Sequence, residues 1–324
     1  MCTALTFKTK DFYFGRNLDY TYSYGESVTV MPRAFPLILR SGETLNRHFA
    51  VIGMAHVRQN FPLFYDGMNE KGLCMAGLNF VGNAVYGKKA ENKNNIAQFE
   101  FLPWVLSVFD SVDDVLKGLK NVNITDEPFE KRMPAASLHY LLADKGRCVV
   151  IEPVKSGLKV YENPVGVLAN NPPFNEQIRH LGAFRALSPK TPKNTFSDSY
   201  LLPVYSRGMG TIGLPGDLTS PSRFVRAAFV RAHTVCGKGE AESVSSFFHI
   251  LGAAEQQKGC CIAEDGKEEY TIYSSCCNAD KGIYYYKTYA GQRICAVGLN
   301  NEDLDGEKLI CYPLHSEMHV FYQN

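Results

Sequence analysis

No stretch of the sequence holds the ~20 consecutive apolar residues of a membrane-crossing helix, so no such span is expected. The first ten residues, MCTALTFKTK, place Lys8 and Lys10 where a secretory leader would have its apolar stretch. No leader is therefore expected, and the expected compartment is the cytoplasm. Neither charge is in excess: 34 Lys and Arg against 33 Asp and Glu leave a net charge of +1. That removes the general electrostatic reason to expect nucleic acid or an anionic membrane as partner. There is no C-x-x-C pair, and no histidine stands at zinc-finger spacing from a cysteine, so structural zinc is not expected. Without secretion the ten cysteines are expected as thiols, most of them small buried hydrophobes. The adjacent pairs Cys260–Cys261 and Cys276–Cys277 are too strained to bridge internally. Repeats, low-complexity tracts and Pro/Gly/Ser-rich linkers are also missing, which favours one domain over 2–324 after removal of Met1.

The composition, 45% hydrophobic and 21% charged, is that of an ordinary globular chain with a sizeable core. TALTF, FYFGR, SVTVMP, AVIGMAHV and LCMAGLNF read as strands bounded by turns, and the close spacing of the first two predicts a hairpin that carries Cys2. FEFLPWVLSVF reads as a buried helix. SVDDVLKGLKNV reads as an amphipathic one, capped by Ser111 with Asp114 three residues on. Residues 137–171 read as antiparallel strands, and NPPFNEQIRHLGAFRAL as helical. TSPSRFVRAAFVRAH predicts a helix with Ser220 as cap and Pro221 first, and AESVSSFFHILGAA another. EYTIYSS, KGIYYYKTY and RICAVGLN return to strands. This order predicts an α+β fold of stacked helix and sheet layers with antiparallel pairing.

One segment imitates a nucleotide site. Gly208, Gly210 and Gly213 in GMGTIG have the G-x-G-x-x-G spacing. That fingerprint needs a helix to begin there, and Pro215 and Gly216 interrupt it at once. A flexible glycine loop is expected instead.

Cys2 is an accident, a lipid attachment point or a nucleophile. Without a leader to cleave, the lipid reading falls. If Met1 is removed, Cys2 carries both a thiol and a terminal amine, and the amine can take the thiol's proton without any histidine. Such a site needs the amine neutral, a carboxylate to orient it, and donors for an oxyanion. Arg16 and Asp19, in FGRNLD, are candidates for the first two; a surface ion pair is their plain alternative.

MCTA, FGRNLD, YDGMNEKGLCMAGLNF, FEFLPWVL, NPVGVLANNPPF, GLPGDLTSPSRFVRA, FFHILG, YTIYSSC and KGIYYYKTY follow one another over nearly the whole chain. In these motifs the sequence resembles the choloylglycine hydrolase family of conjugated bile salt hydrolases and penicillin V acylases. The resemblance implies an N-terminal-nucleophile (Ntn) hydrolase fold, an αββα sandwich of two antiparallel sheets. It implies Cys2 as nucleophile, Arg16 and Asp19 as its tuning and orienting groups, Asn79 and Asn170 at the oxyanion, and Arg223 supporting the transition state. Asn79 and Asn170 could instead cap turns, and Arg223 could simply pair with an acid. The residues matching the family's apolar acyl pocket are Leu18, Tyr20, Phe61, Tyr65, Phe129, Met133 and Leu138; ordinary loop packing is the alternative for Phe129 and Met133. Penicillin V acylases of the family tend to carry Tyr at the position of Asn79, so glycine- or taurine-conjugated bile salts are the implied substrates. A homotetramer is implied, and no metal or organic cofactor. Tyr140, Ala169 and Pro173 depart from the family pattern close to the site.

Overall fold

The computed structural model describes residues 1–324. Strand β1 (Cys2–Lys8) and strand β2 (Phe12–Tyr20) form the expected hairpin, in the register Cys2 opposite Leu18 and Ala4 opposite Arg16. They are the second and third strands of a six-stranded antiparallel sheet. Val167–Leu168 lies outside β1, and Tyr270–Asn278, Ile283–Thr288 and Cys295–Gly298 follow β2. The second sheet has eight antiparallel strands. From one edge to the other they are Gly157–Glu162, Cys148–Val154, Leu138–Ala143, Cys74–Asn79, Phe61–Asn69, Val51–Arg58, Ser27–Met31 and Ile310–Pro313.

Alternation along the strands assigns the faces. Leu141 and Ala143 join the core between the sheets, while Tyr140 and Leu142 point the other way. There they meet Phe101, Trp104 and Val105 of helix α1 (Gln98–Val108) and Val112 and Val115 of α2 (Val112–Gly118). α1 is apolar around its circumference, Pro103 included, because it is buried on nearly every side. Ser111 caps α2 as expected, accepting the Asp114 N–H at 3.3 Å.

Helix α3 (Phe174–Leu181) is shorter than the apolar pattern predicts and passes into a 3₁₀ turn at Gly182–Phe184. α4 (Ser220–His233) and α5 (Glu240–Gly252) cover the outer face of the six-stranded sheet. The layers are therefore helix, sheet, sheet, helix: the αββα sandwich that the resemblance implies. No helix is long and apolar enough to cross a membrane. All ten cysteines are free, the adjacent pairs included. Gly208, Gly210 and Gly213 lie in a loop with one short 3₁₀ turn, and Gly208 and Gly213 take φ of +81° and +95°.

Two β-bulges bend the sheets where they matter for function. In one, the pairing of Val51–Arg58 with Phe61–Asn69 shifts between Met54 and Ala55, leaving Tyr65 as the extra residue. In the other, the pairing of β2 with Tyr270–Asn278 shifts between Thr271 and Tyr273, leaving Ile272 extra. A bulge frees backbone groups from the ladder and re-aims the side chains beside it. Gly53 makes room beside the first bulge, since a Cβ there would lie 2.1 Å from the Asp66 carbonyl oxygen.

Candidate active site

Because β1 and β2 alternate in register, their side chains separate into two sets. Cys2 and Arg16 face the second sheet, and Thr3, Asn17 and Asp19 face the helices. The Arg16 guanidinium reaches across to the other sheet, where Nη1 donates to the Gly77 carbonyl at 2.5 Å and the Tyr65 carbonyl at 3.2 Å. The Tyr65 carbonyl is the one beside the bulge. On the opposite face, the Asn17 amide donates to the Leu251 carbonyl of α5 at 2.9 Å.

Cys2 is 4% exposed. Its backbone N–H donates to Asn170 Oδ1 at 2.6 Å, and its carbonyl accepts from Arg223 Nη1 at 2.5 Å. Arg223 Nη2 donates to the same Asn170 oxygen at 2.8 Å, and Nη1 also bonds the Thr3 hydroxyl. Asn170 Nδ2 donates to the Asn79 backbone carbonyl at 2.8 Å. Asp19 accepts the Thr271 hydroxyl at Oδ1 (2.6 Å), while its Oδ2 has no hydrogen-bond partner and lies 3.8 Å from Arg223 Nη1. Cys2, Asp19, Asn79, Asn170 and Arg223 are thus joined through hydrogen bonds or ion contacts, and Arg16 stands beside Cys2 on the same strand face.

Met1 lies at the rim of this cluster. Its carbonyl accepts the Asp19 N–H at 2.9 Å and its ammonium donates to the Asp19 carbonyl at 2.6 Å and to Glu269. Burial lowers the pKa of this ammonium below its ordinary 8.0; Cys2 and Asp19 oppose that shift, and Arg223 and Arg16 reinforce it. Burial raises the Asp19 carboxyl above its ordinary 3.8, against the pull of Arg223, the terminal ammonium and Thr271. Burial also works against the charge of Arg16, but Cys2, Tyr273, Asp66 and Asp19 outweigh it and raise its pKa.

The surrounding elements hold Asn170 and Arg223 in place. Ser220 was expected to cap α4; the cap is Thr219, one residue earlier, and the Ser220 hydroxyl instead accepts the Asn170 N–H at 2.7 Å. His139 and Glu152, both buried, fix the segment around Asn170. His139 Nε2 is 2.8 Å from the Ala169 carbonyl and Nδ1 is 3.1 Å from Glu152, which also accepts the Phe174 N–H at 2.9 Å. Arg223 sits in the first turn of α4, where Asp217 accepts the Ser222 hydroxyl at 2.6 Å and the Thr219 N–H at 3.0 Å. These bonds lower the Asp217 pKa to about 2.

Asp217 is exposed. Solvent screening therefore holds its contribution to about 1 kcal/mol at most. Its folded-state pKa lies below the ordinary 3.8, so this stability is present above pH 3.8 and is lost as pH falls through about 2. Denaturant unfolding of wild type and Asp217→Asn should differ most near neutral pH and converge toward pH 2; an unchanged gap would refute this role.

The apolar set separates in two. Leu18, Tyr20 and Tyr65 pack against the core that contains Cys2. Phe61 and Leu138 pack with the cluster on the far face of the eight-stranded sheet, and Phe129 is buried outside both core clusters. Phe61 and Phe129 lie in a ring cluster with Phe99 at centroid distances of 5.1–5.9 Å. Leu138 nevertheless pairs with Asn79 in register, and Met133 is half-buried in the turn that bonds back to Phe129. A polar cavity of about 340 Å³ opens behind Thr271, lined by Glu255, Gln256, Ser274 and Lys287 among others. None of the sequence-predicted site residues lines it. Thr271, His139 and Asp217 were missed in the sequence and Ser220 was read only as a cap, because nothing local in YTIYSS, SLHYLL, GLPGDL or SPSRF announces these bonds.

A thiol heading an inner strand, with its own backbone nitrogen held by Asn170 and its carbonyl by Arg223 in an αββα sandwich, defines an amide hydrolase of the N-terminal-nucleophile class. The family model for linear amide C–N hydrolases, choloylglycine hydrolase family, matches residues 2–312, and the chain belongs to that family. It is 53% identical over 324 residues to a bile salt hydrolase/transferase of Lactiplantibacillus plantarum and covers 100% of both chains. A bile salt hydrolase/transferase of Clostridium perfringens is 38% identical, again over 100% of both. The crystal structure of the C2A mutant of the conjugated bile acid hydrolase from Clostridium perfringens superposes with a TM-score of 0.93 at 37% identity, covering 100% of each chain. A penicillin V acylase from Agrobacterium tumefaciens, 18% identical, shares the fold with a TM-score of 0.76, covering 98% of this chain and 94% of that one.

Proposed function

We propose that this enzyme hydrolyses the amide bond joining a bile acid to glycine or taurine, with Cys2 as nucleophile once Met1 has been removed. The observation that carries the reading is the position of the Cys2 nitrogen. It already bonds Asn170 Oδ1, the oxygen that also accepts from Arg223 Nη2, and Arg223 Nη1 in turn lies 3.8 Å from the unpartnered Asp19 Oδ2. As a free amine it keeps that acceptor, and its lone pair is released from the peptide bond. The burial that depresses the Met1 ammonium also favours a neutral amine one residue deeper.

The amine takes the thiol proton and sulfur attacks the amide carbon. The carbonyl π pair moves to oxygen, where the amides of Asn79 and Asn170 stabilise the oxyanion and Arg223 adds positive charge. Collapse of the oxyanion breaks the C–N bond, and the ammonium of Cys2 protonates the departing amino acid. Water then attacks the thioester, the amine accepts its proton and passes it to sulfur, and the bile acid leaves. Asn79 favours bile salts over penicillin V, and the relatives' names agree with that choice. Initial rates of glycine or taurine release should exceed phenoxyacetate release from penicillin V at least about tenfold; the reverse order would overturn the substrate assignment.

The ten free thiols support a reducing cytoplasmic setting. The loop before the glycine run exposes Phe196 (80%), Leu201 (94%) and Tyr205 (78%), a side-chain set expected to be covered by assembly into the homotetramer. Light scattering should give about four times the 36.1 kDa chain mass, and Leu201→Glu with Tyr205→Glu should lower it. A monomeric wild type would refute the assembly.

A further inference from the structure

Asp66 lies in the Phe61–Asn69 strand, immediately after the bulged Tyr65, and is fully buried between the two sheets. Three hydroxyls from the other sheet donate to it: Tyr273 at 2.5 Å, Tyr284 at 2.6 Å and Ser275 at 3.2 Å. The Ser275 oxygen also accepts the backbone N–H of Arg16 at 3.2 Å, so one hydroxyl links the Arg16 main chain to the Asp66 carboxyl. The Arg16 side chain donates to the carbonyls of Tyr65, Gly77 and Asn17, and its Nη2 is buried without a partner. Neutral carbonyls satisfy its geometry but do not balance its charge. A guanidinium sealed between two sheets needs a counter-ion nearby, because the desolvation cost of an unpaired buried charge is several kcal/mol.

We propose that Asp66 is that counter-ion: a positioning residue that, through Arg16, sets the electrostatic field at the Cys2 thiol and amine. This rests on the reading of Cys2 as the nucleophile. The charge pattern is layered. Asp66 is tied to the Arg16 main chain through Ser275 and follows Tyr65, whose carbonyl accepts from Arg16 Nη1, while Arg16 Nη2 keeps no protein partner. Asp19 and Arg223 lie on the opposite face of β2 and in α4. Tyr65, Tyr273 and Tyr284 are further ionisable neighbours, together with Cys74 and Cys277, and burial raises the pKa of all five; the buried carboxyl of Glu26 adds negative charge near Tyr65 and Tyr273. An acid accepting three hydroxyls is best served as an acceptor-only carboxylate. Burial raises the Asp66 pKa, while Arg16 and the three donors oppose it.

Removing the negative charge leaves Arg16 uncompensated and strengthens the positive field at Cys2, which favours its deprotonated forms. The test is the rate of Cys2 alkylation by iodoacetamide against pH, read by mass spectrometry of the N-terminal peptide, so that no substrate is involved. In Asp66→Asn the midpoint should move to lower pH by about 0.5–1 unit, and the acidic limb of kcat/KM should move with it. Tyr284→Phe removes one hydrogen bond but no charge; its Tm should fall with the midpoint within about 0.2 unit of wild type. A midpoint unmoved in Asp66→Asn, or moved equally by Tyr284→Phe, would overturn the proposal and reduce Asp66 to a purely structural staple. If Asp66→Asn does not fold, Asp66→Asn with Arg16→Met should, because the uncompensated charge is then gone. A double variant that stays unfolded while Arg16→Met alone folds would equally overturn it. Absence of bile salt turnover with a shifted alkylation midpoint would instead count against the substrate assignment alone.

Discussion

Cys2→Ala leaves the fold in place and lowers hydrolysis at least about 10⁴-fold. The fold should survive because alanine keeps the β1 pairing with Leu18 and removes only a sulfur atom from a well-packed wall. The cost is about 1 kcal/mol of packing, a small part of the stability of a domain this size. Nothing else nearby can replace the nucleophile. The Thr3 hydroxyl projects from the opposite strand face and is already bonded to Arg223. Cys276 and Cys277 are buried thiols whose pKa burial raises well above the ordinary value, so they stay protonated. What remains in the variant is an oxyanion site without an attacking atom. Cys2→Ser should fall between the two, because its hydroxyl reaches the same carbonyl but is a far weaker acid for the same amine base. Initial rates on a glycine conjugate, with a thermal melt as control, measure both effects. Residual turnover above a few per cent in the folded alanine variant would sink the mechanism.

Much of this site was legible because its parts lie in short, regular segments. The β1–β2 hairpin follows from alternation and a tight turn, and with it Cys2 and Arg16 on adjacent strands; Asp19, which the sequence places in a turn after FYFGR, lies instead within β2, which runs on to Tyr20. Arg223 follows from the start of α4, although the cap falls on Thr219 rather than Ser220, which is occupied with Asn170. The bulges at Tyr65 and Ile272 were not legible, since a slip of one residue in a ladder depends on the partner strand. Asp66 and Thr271 were therefore missed. Both sit directly beside a bulge, and both act on a residue in another strand. Phe61 and Phe129 illustrate the opposite difficulty: aromatic character predicts burial but not the partners that receive it, and these two pack with Phe99 rather than against the core that contains Cys2.

Retention of Met1 should inactivate the enzyme nearly as completely as loss of the thiol. In the chain that keeps Met1, the Cys2 nitrogen is an amide; its proton is committed to Asn170 and its lone pair to the peptide bond, so it cannot serve as a base. The only free amine is then that of Met1, which is held by Glu269 and the Asp19 carbonyl. The Met1 carbonyl meanwhile occupies the Asp19 N–H. The sulfur is present throughout, so the two failures differ in kind. Chain prepared with a methionine aminopeptidase inhibitor should show at least about a 10³-fold lower rate, scaling with the unprocessed fraction in intact mass spectra. Iodoacetamide should still label its Cys2, whereas Cys2→Ala offers no such label. Treating the folded, blocked chain with the aminopeptidase should restore activity in proportion to Met1 removed, provided the Glu269 contact opens. Glu269→Gln weakens that contact by removing its charge, so release should be faster in the variant. Full activity in a preparation whose mass shows Met1 intact would exclude the terminal amine as base and leave the proton of the Cys2 thiol without an acceptor in this site.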